Sequence, residues 1–550
     1  MKRLNPSLIP KFINQLEKLP VFEPSFYKRE SKVNYNYSVD ACEFYQQILP
    51  PGYEKTKVWG FAGLCKDNKN KGIKYIKYSP GPTFEVKRDT NVNIQWNNKI
   101  MSEYMFRIDT TIPWANPNNI NSIKEEKNNN MKEGQWPPTL AMHLNGMISS
   151  PVNDGNPRTW YTATGIKGPL YTNNYYKFTN EQPSCTLWYY DQSPGVSRIS
   201  VYSGLCGLYL IKDEDYDFPK GDYHIPLIIQ DKSFYEDGSL YYNDKSNLSE
   251  HPHWNDKFFG DVIVVNGKAW PSLKVENQLY KFDILNGSNC RPYKIALSDN
   301  SKMIQIGTDS GYIHKPQELT YFVLYPGERI QILIDFSKYK TNDKIIMKNL
   351  FVTDECEDIM EFVVSNATNK IEYCIPEILK IYPKIKINRE KLRTFIVKTK
   401  DNKYLFDGKD YFEPPNFIKV GSCFIWEFIN ISEEDTCIHL HLVHFQIIER
   451  QKINKKIYQK NYDINDGIYE EIYLPEKYEE GFKDTLYCPA FCTTRIIVRY
   501  APYYIMEDIN MGENFYSFNP SEGPEYIINS QILEQKDNYM IRPQVIIYEE

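Results

Sequence analysis

Hydrophobic and polar positions alternate along most of this chain in short runs, and the runs are bounded by Gly, Asn, Asp or Pro. TFEVKRDTNVNIQW (83–96), LCGLYLIKD (205–213), DVIVVNGKAW (261–270), RIQILIDF (329–336), CFIWEFINI (423–431) and TRIIVRYAP (494–502) are typical. Residues two apart on a strand share a face, so such runs predict half-buried or fully buried strands. Their Val, Ile, Phe, Tyr and Trp content suits a pleated surface. Many short strands between turns, without alternating helices, predict an all-β chain built of β-sandwiches. Helical periodicity is scarce, and LIPKFINQLEKL (8–19) is the stretch that predicts a short helix.

At 550 residues the chain is long enough for several cores. Turn and charge signals in IKDEDYDFPKGD and a Pro- and Lys-rich link, YPKIKINREK (382–391), divide it into blocks 1–213, 214–388 and 389–550. Three polar segments, 64–79, 118–134 and 506–523, carry charge, Asn and Gly with little periodicity and read as mobile surface loop insertions.

Composition narrows the function classes. Hydrophobic residues make up 41%, with 44 Tyr and 28 Phe, as expected of a folded protein. The net charge is -6 and the basic residues are dispersed, which excludes an obvious nucleic-acid footprint. No apolar run reaches the length of a membrane-spanning helix. The first twenty residues lack a signal peptide's apolar stretch and cleavage site, and the 11 Cys are scattered without a CxxC. Both features make a reducing, cytoplasmic location the expectation.

Candidate chemistry concentrates in CIHLHLVHFQIIER (437–450), which holds three of the eight His: His439, His441 and His444. On a strand His439 and His441 point the same way, joined by Cys437 if the strand reaches it, and His444 points oppositely. Imidazole is a ligand for copper, zinc and iron. Two imidazoles do not close a site, because structural zinc needs four ligands and catalytic zinc three. A related pattern, MHLNG, places His143 two residues before Asn145. HPHW (251–254) reads as surface, and Cys488 and Cys492 read as free buried thiols. No GxSxG, P-loop or HExxH motif is present.

Taken in order, further segments resemble the multicopper oxidases, within them the bacterial spore-coat laccase and bilirubin oxidase branch. VWGFAGL and PGPTFEVKRDTNVNIQW resemble that branch's opening, and MHLNGM and DGNPRTW its first His motif. LWYYDQSPGVSRISVYSGLCGLYLIKD resembles the second motif, TCIHLHLVHFQIIER the third, and YIINSQILEQKDNYMIRP (526–543) the fourth. The resemblance spans nearly the whole chain. It implies three cupredoxin-like (plastocyanin-like) β-sandwich domains, with a blue copper in the third and a three-copper cluster between the first and third.

Carried over residue by residue, the blue-copper positions fall on Thr436, Ser530, Gln535 and Met540, of which Met540 alone matches the family. Cluster positions fall on His143, Asn145, Tyr190, Gln192, His439, His441, Asn529 and Gln531. Three of the family's ten His remain: His143 and His439 at the type-2 copper positions, and His441 at one ligand of the neighbouring copper pair. Lys536 stands where the branch has an acid. A serine hydroxyl offers neither a low pKa nor a soft sulfur, so it replaces the thiolate neither as ligand nor as electron conduit. The expectation is therefore a multicopper-oxidase-like pseudoenzyme without a cofactor, serving as a binding or structural scaffold for a protein or small-molecule partner. In that state the remaining His hydrogen-bond with Tyr190 or Asn145. The alternative is a residual mononuclear copper or zinc protein, or a weak copper-dependent oxidoreductase, using His143, His439 and His441.

Overall fold

The computed structural model describes residues 1–550 except 30–31, 67–71, 113, 117–134, 215, 247, 384, 386–391, 401–402, 462–463, 465 and 549–550. The polar segment 118–134 lies outside the described residues. Strands dominate the rest and fall into three sequential groups. Strands between Val21 and Lys212 build an eleven-stranded sheet with a small two-stranded companion. Strands between His224 and Ser365 build sheets of eight and five strands, and those between Leu392 and Ile547 build sheets of six and five. The chain is all-β, as the alternation predicts, and its strand groups agree with the cupredoxin-like sandwiches that the resemblance implies.

The pattern of burial explains the strands. Lys344–Asn349 alternates buried and partly exposed positions, as a strand covered on one face does. Cys185–Asp191 is buried at every position, because both its faces are covered. Aromatic rings fill the first group, where Phe84 meets Tyr189 at 5.3 Å, Tyr209 at 5.4 Å and Trp96 at 6.0 Å. One continuous apolar core joins the first and last groups, running from Val39, Trp59 and Leu187 to Trp426, Ile438 and Ile528. The middle group has its own core around Phe282, Ile295 and Phe362.

Two expectations need correction. The stretch 8–19 is not a helix: a single 3-10 turn at Pro6–Leu8 precedes an extended strap. Pro10 has no N–H to give a helix. The strap's own amides are taken by the middle group, with Phe12 N donating to Trp270 O at 2.9 Å and Leu16 N to Ser272 O at 2.8 Å. The described residues of segment 64–79 are mostly strand rather than loop, with Thr56–Lys66 paired antiparallel to Ile73–Tyr78. Its Ile and Tyr supply strand propensity that the interleaved Lys residues mask. Residues 506–523 hold no strand or helix, yet Tyr516 is buried and anchors them to the shared core.

Candidate metal centre

Two strands from opposite ends of the chain bring three imidazoles together. Met142–Asn145 pairs antiparallel with Cys185–Asp191, setting His143 opposite Tyr190. Thr436–Leu440 lies between Thr485–Cys488 and Tyr526–Ser530, setting His439 opposite both Thr485 and Asn529. The strand ends at Leu440, and Leu442 takes a left-handed φ of 71°, so His441 leaves the sheet at the start of a turn. One ligand atom from each of His143, His439 and His441 lies within 4.8 Å of the others. All three are buried. The His143 and His441 rings stack at 3.9 Å, and His439 stands 5.7 Å from His143 and 5.0 Å from His441.

Each ring is oriented through Nδ1. His143 Nδ1 donates to Asp154 O at 2.6 Å, and His439 Nδ1 to Asp484 O at 2.9 Å. His441 Nδ1 donates to the Asp154 carboxylate at 2.6 Å. Carbonyl oxygens only accept, so the proton on His143 and His439 sits on Nδ1 and the Nε2 lone pair is left bare. None of the three Nε2 atoms has a hydrogen-bond partner among the described residues. Gly155 makes this arrangement possible. It has a φ of 76°, and a Cβ there would sit 1.8 Å from Met142 O, so only glycine lets the Asp154 turn close against the His143 strand.

Burial and the neighbouring imidazoles hold His143 and His441 well below the ordinary histidine value, so both are neutral. Burial pushes the Asp154 carboxyl up to about 6. It would raise Asp484 as well, but the Arg329 guanidinium overrides it and holds Asp484 well below the usual carboxylate range. Arg329 reaches Asp484 with two bonds, 2.7 and 2.5 Å, from the middle strand group.

The other expected positions form a separate hydrogen-bonded set. Thr436 Oγ1 lies 3.2 Å from Ser530 Oγ and donates to Met540 Sδ at 3.4 Å. Ser530 Oγ donates to Gln535 Oε1 at 3.1 Å, and Gln535 Nε2 donates to Asp435 O at 2.9 Å. Gln531 Nε2 donates to Asn145 Oδ1 at 3.0 Å, while Asn529 Nδ2 donates to Ser530 O at 2.8 Å. Lys536 Nζ donates to Tyr190 OH at 3.0 Å and Gln192 Oε1 at 3.1 Å, and burial brings its amine down to about 7.

The remaining expectations sort by contact. Asp154 and Asp484, rather than Tyr190 and Asn145, take the His N–H groups; Tyr190 meets His143 only edge to face, at 5.8 Å. Asp154 opens DGNPRTW and Asp484 lies outside the segments quoted for the resemblance, and nothing in their spacing marks either as a His partner. Cys437 turns away into an apolar cluster with Cys290 and Ile532, where burial raises its thiol well above the ordinary value. His444 packs on Tyr503 at 4.5 Å and donates to Gly146 O at 3.1 Å. His251 and His253 bind Thr111 and the Asp244 carbonyl instead of a common ion. All eleven cysteines are free.

Comparison with known proteins agrees with this architecture. Residues 123–216 match the family model described as multicopper oxidase. The laccase of Bacillus stratosphericus is 31% identical over 98% of this chain and 99% of its own length. The chain belongs to the multicopper oxidase family. The laccase of Bacillus subtilis (strain 168) is 30% identical over the same shares, and multicopper oxidase LPR1 of Arabidopsis thaliana is 31% identical over 85% of this chain and 83% of its own. Among solved structures, a laccase from Pediococcus acidilactici Pa5930 superposes with a TM-score of 0.71 at 20% identity, covering 98% of this chain and 95% of that one. McoA multicopper oxidase of Aquifex aeolicus gives 0.69 at 22%, covering 97% and 99%. At these identities the structures speak for the fold alone. No described helix is long and apolar enough to cross a membrane.

Proposed function

We propose that this multicopper-oxidase-like chain no longer works as an oxidase and that its chemistry has contracted to one metal ion, copper or zinc, held by His143 and His439 with His441 beside them. The observation that carries this reading is the set of three buried, unpartnered Nε2 atoms. A buried polar atom without a partner is costly, and its survival in triplicate calls for a ligand. Metal-binding imidazoles commonly donate their second N–H to a carboxylate or carbonyl, as these three do.

The residues do not fit the family's four-copper set. A blue copper needs a thiolate and two imidazoles. Thr436, Ser530 and Gln535 supply hydroxyls and an amide that already satisfy one another. Around the three His, Asn145 and Gln531 bond to each other, and the Lys536 amine occupies Tyr190 and Gln192 by donating to both. A bound ion at the His would supply Lewis acidity or one-electron exchange. The chain's part is to fix the imidazole tautomers through Asp154 and Asp484 and to exclude water. Beyond the metal, the scaffold reading has a cleft of about 710 Å³ in its favour, lined by Trp254, Tyr404, Glu433, Glu434, Tyr458 and Phe491, which has room for a small molecule.

Elemental analysis of the purified full chain, paired with a phenol-oxidation assay, tests the reading. About one ion per chain, lost in both His143→Ala and His439→Ala, with no oxidase activity and no intense blue band, is the expected result. Four coppers per chain with oxidase turnover would overturn it. A metal-free protein whose melting is unmoved by copper or zinc would leave only the scaffold.

A further inference from the structure

Outside the His cluster, one pair of side chains stands apart. Tyr325 and Tyr487 stack face to face at 3.7 Å with their planes only 8° apart. Among the described residues no other two tyrosines are stacked; the others that touch meet tilted or edge-on, as Tyr235 and Tyr241 do at 5.4 Å. Tyr325 follows the strand Tyr321–Leu324 of the middle group, and Tyr487 lies in Thr485–Cys488 of the last group. Both rings are half-buried, so an oxidant reaches them from solvent. Tyr487 OH donates to the exposed Asp435 carboxylate at 3.0 Å.

We propose that Tyr325 and Tyr487 form an oxidisable pair, which a one-electron oxidant such as a peroxidase with hydrogen peroxide converts into a carbon–carbon dityrosine cross-link between the middle and last strand groups. Ring quadrupoles favour offset-stacked or edge-on pairs, and among the described tyrosine pairs this one alone takes the parallel form. Parallel overlap with centroids 3.7 Å apart holds the ring carbons of the two phenols in van der Waals contact, and that proximity is what radical coupling needs.

The step balances as follows. Each phenol gives up one electron to the oxidant and its O–H proton. The two phenoxyl radicals join through ortho carbons, and the ring hydrogens return to the oxygens by tautomerisation. Two hydrogens leave the pair, and one hydrogen peroxide becomes two waters. Burial raises both hydroxyls above the ordinary tyrosine value, helped at Tyr325 by the neighbouring phenol and at Tyr487 by the Asp435 carboxylate, so each is oxidised as a phenol and needs a proton acceptor. Asp435 is that acceptor for Tyr487. It is a positioning and proton-accepting group, and it belongs to no part of the metal site.

The test oxidises the full-length protein with a peroxidase and hydrogen peroxide, or photochemically with a ruthenium tris-bipyridyl sensitiser and persulfate. Peptide mass spectrometry then reads the cross-link. The expected product is a joined pair of peptides containing Tyr325 and Tyr487, lighter by two hydrogens than their sum. It should be lost in Tyr325→Phe and in Tyr487→Phe, which keep the ring stack. Its formation should slow several-fold in Asp435→Asn while free tyrosine added to the mixture still couples at the wild-type rate. Dityrosine that joins only other tyrosines, or none in a mixture where free tyrosine dimerises, overturns the proposal. An unchanged rate in Asp435→Asn overturns the role given to that carboxylate.

Discussion

Ser530 holds together a buried polar knot that a thiolate would have to replace. Its hydroxyl contacts Thr436 and Gln535 and accepts the Ile532 amide at 3.0 Å. If the pocket has lost its copper only through these side chains, restoring them together should restore the metal. Thr436→His, Ser530→Cys and Gln535→His in one chain, with Met540 retained, should take up copper(II) and show an intense visible thiolate-to-copper band on titration. A colourless triple variant that folds normally would mean the surrounding backbone has closed as well. His444 gives a different prediction. Burial lowers its imidazole to about 4 from the ordinary 6.5. Between those values the unfolded chain binds more protons than the folded one, so stability falls as pH drops through that window, by up to about 3 kcal/mol. Urea unfolding at pH 7, 6, 5 and 4 should give a shallower decline for His444→Gln than for the parent.

At the scale of elements, the decisive contacts are those that tie one strand group to another. Arg329 opens a strand of the middle group and is wholly buried, yet its guanidinium reaches Thr186 O in the first group and Asp484 in the last. Asp484 in turn holds His439 through its carbonyl. Replacing Arg329 by Met leaves a buried carboxylate without its counter-charge, at a cost of about 3–5 kcal/mol. Denaturant midpoints should shift accordingly, and metal uptake at His439 should weaken with them. An Arg329→Met protein of unchanged stability would show that Lys483, 3.0 Å from Asp309 in the same charged network, takes over the compensation. The pair also gives an acid limit. Asp484 titrates lower in the folded than in the unfolded chain, so its contribution is intact at neutral pH and is lost as pH falls through its folded value.

For the whole molecule, the first and last strand groups share one apolar core, and His143 and His439 face each other from those two groups. A metal ion between them would act as a clamp on the entire chain rather than on one sandwich. At a hundredfold excess of free ion over its dissociation constant the linkage is worth about 2.7 kcal/mol. Thermal unfolding followed by tryptophan fluorescence should therefore rise in midpoint with added copper or zinc. The rise should vanish in His143→Ala and in His439→Ala, although those substitutions lie in different groups. A rise that survives either substitution would place the ion elsewhere.

How much of this is legible without coordinates depends on the range of the interaction. Strand alternation in CFIWEFINI and RIQILIDF is a property of neighbours two residues apart, so the sequence determines the all-β class. The spacing of His439 and His441 predicts a shared side, but His441 lies past the strand's end and reaches the site through the turn at Leu442; the identity of Ser530 fixes that no thiolate stands at that position. Long-range placement is another matter. Pro10 and the amides of 8–19 reveal their extended path only against Trp270 and Ser272. The strand Ile73–Tyr78 exists because a partner strand offers its ladder. Cys437 shares the alternation of His439 but turns toward Cys290, a residue nearly 150 positions earlier. The bare Nε2 atoms depend on Asp154 and Asp484 arriving at the opposite edges of three rings, through a left-handed glycine and a buried arginine pair. Local periodicity sets which face a side chain takes; only tertiary packing sets what stands on the other side of it, and here that decides which imidazoles are left free to bind.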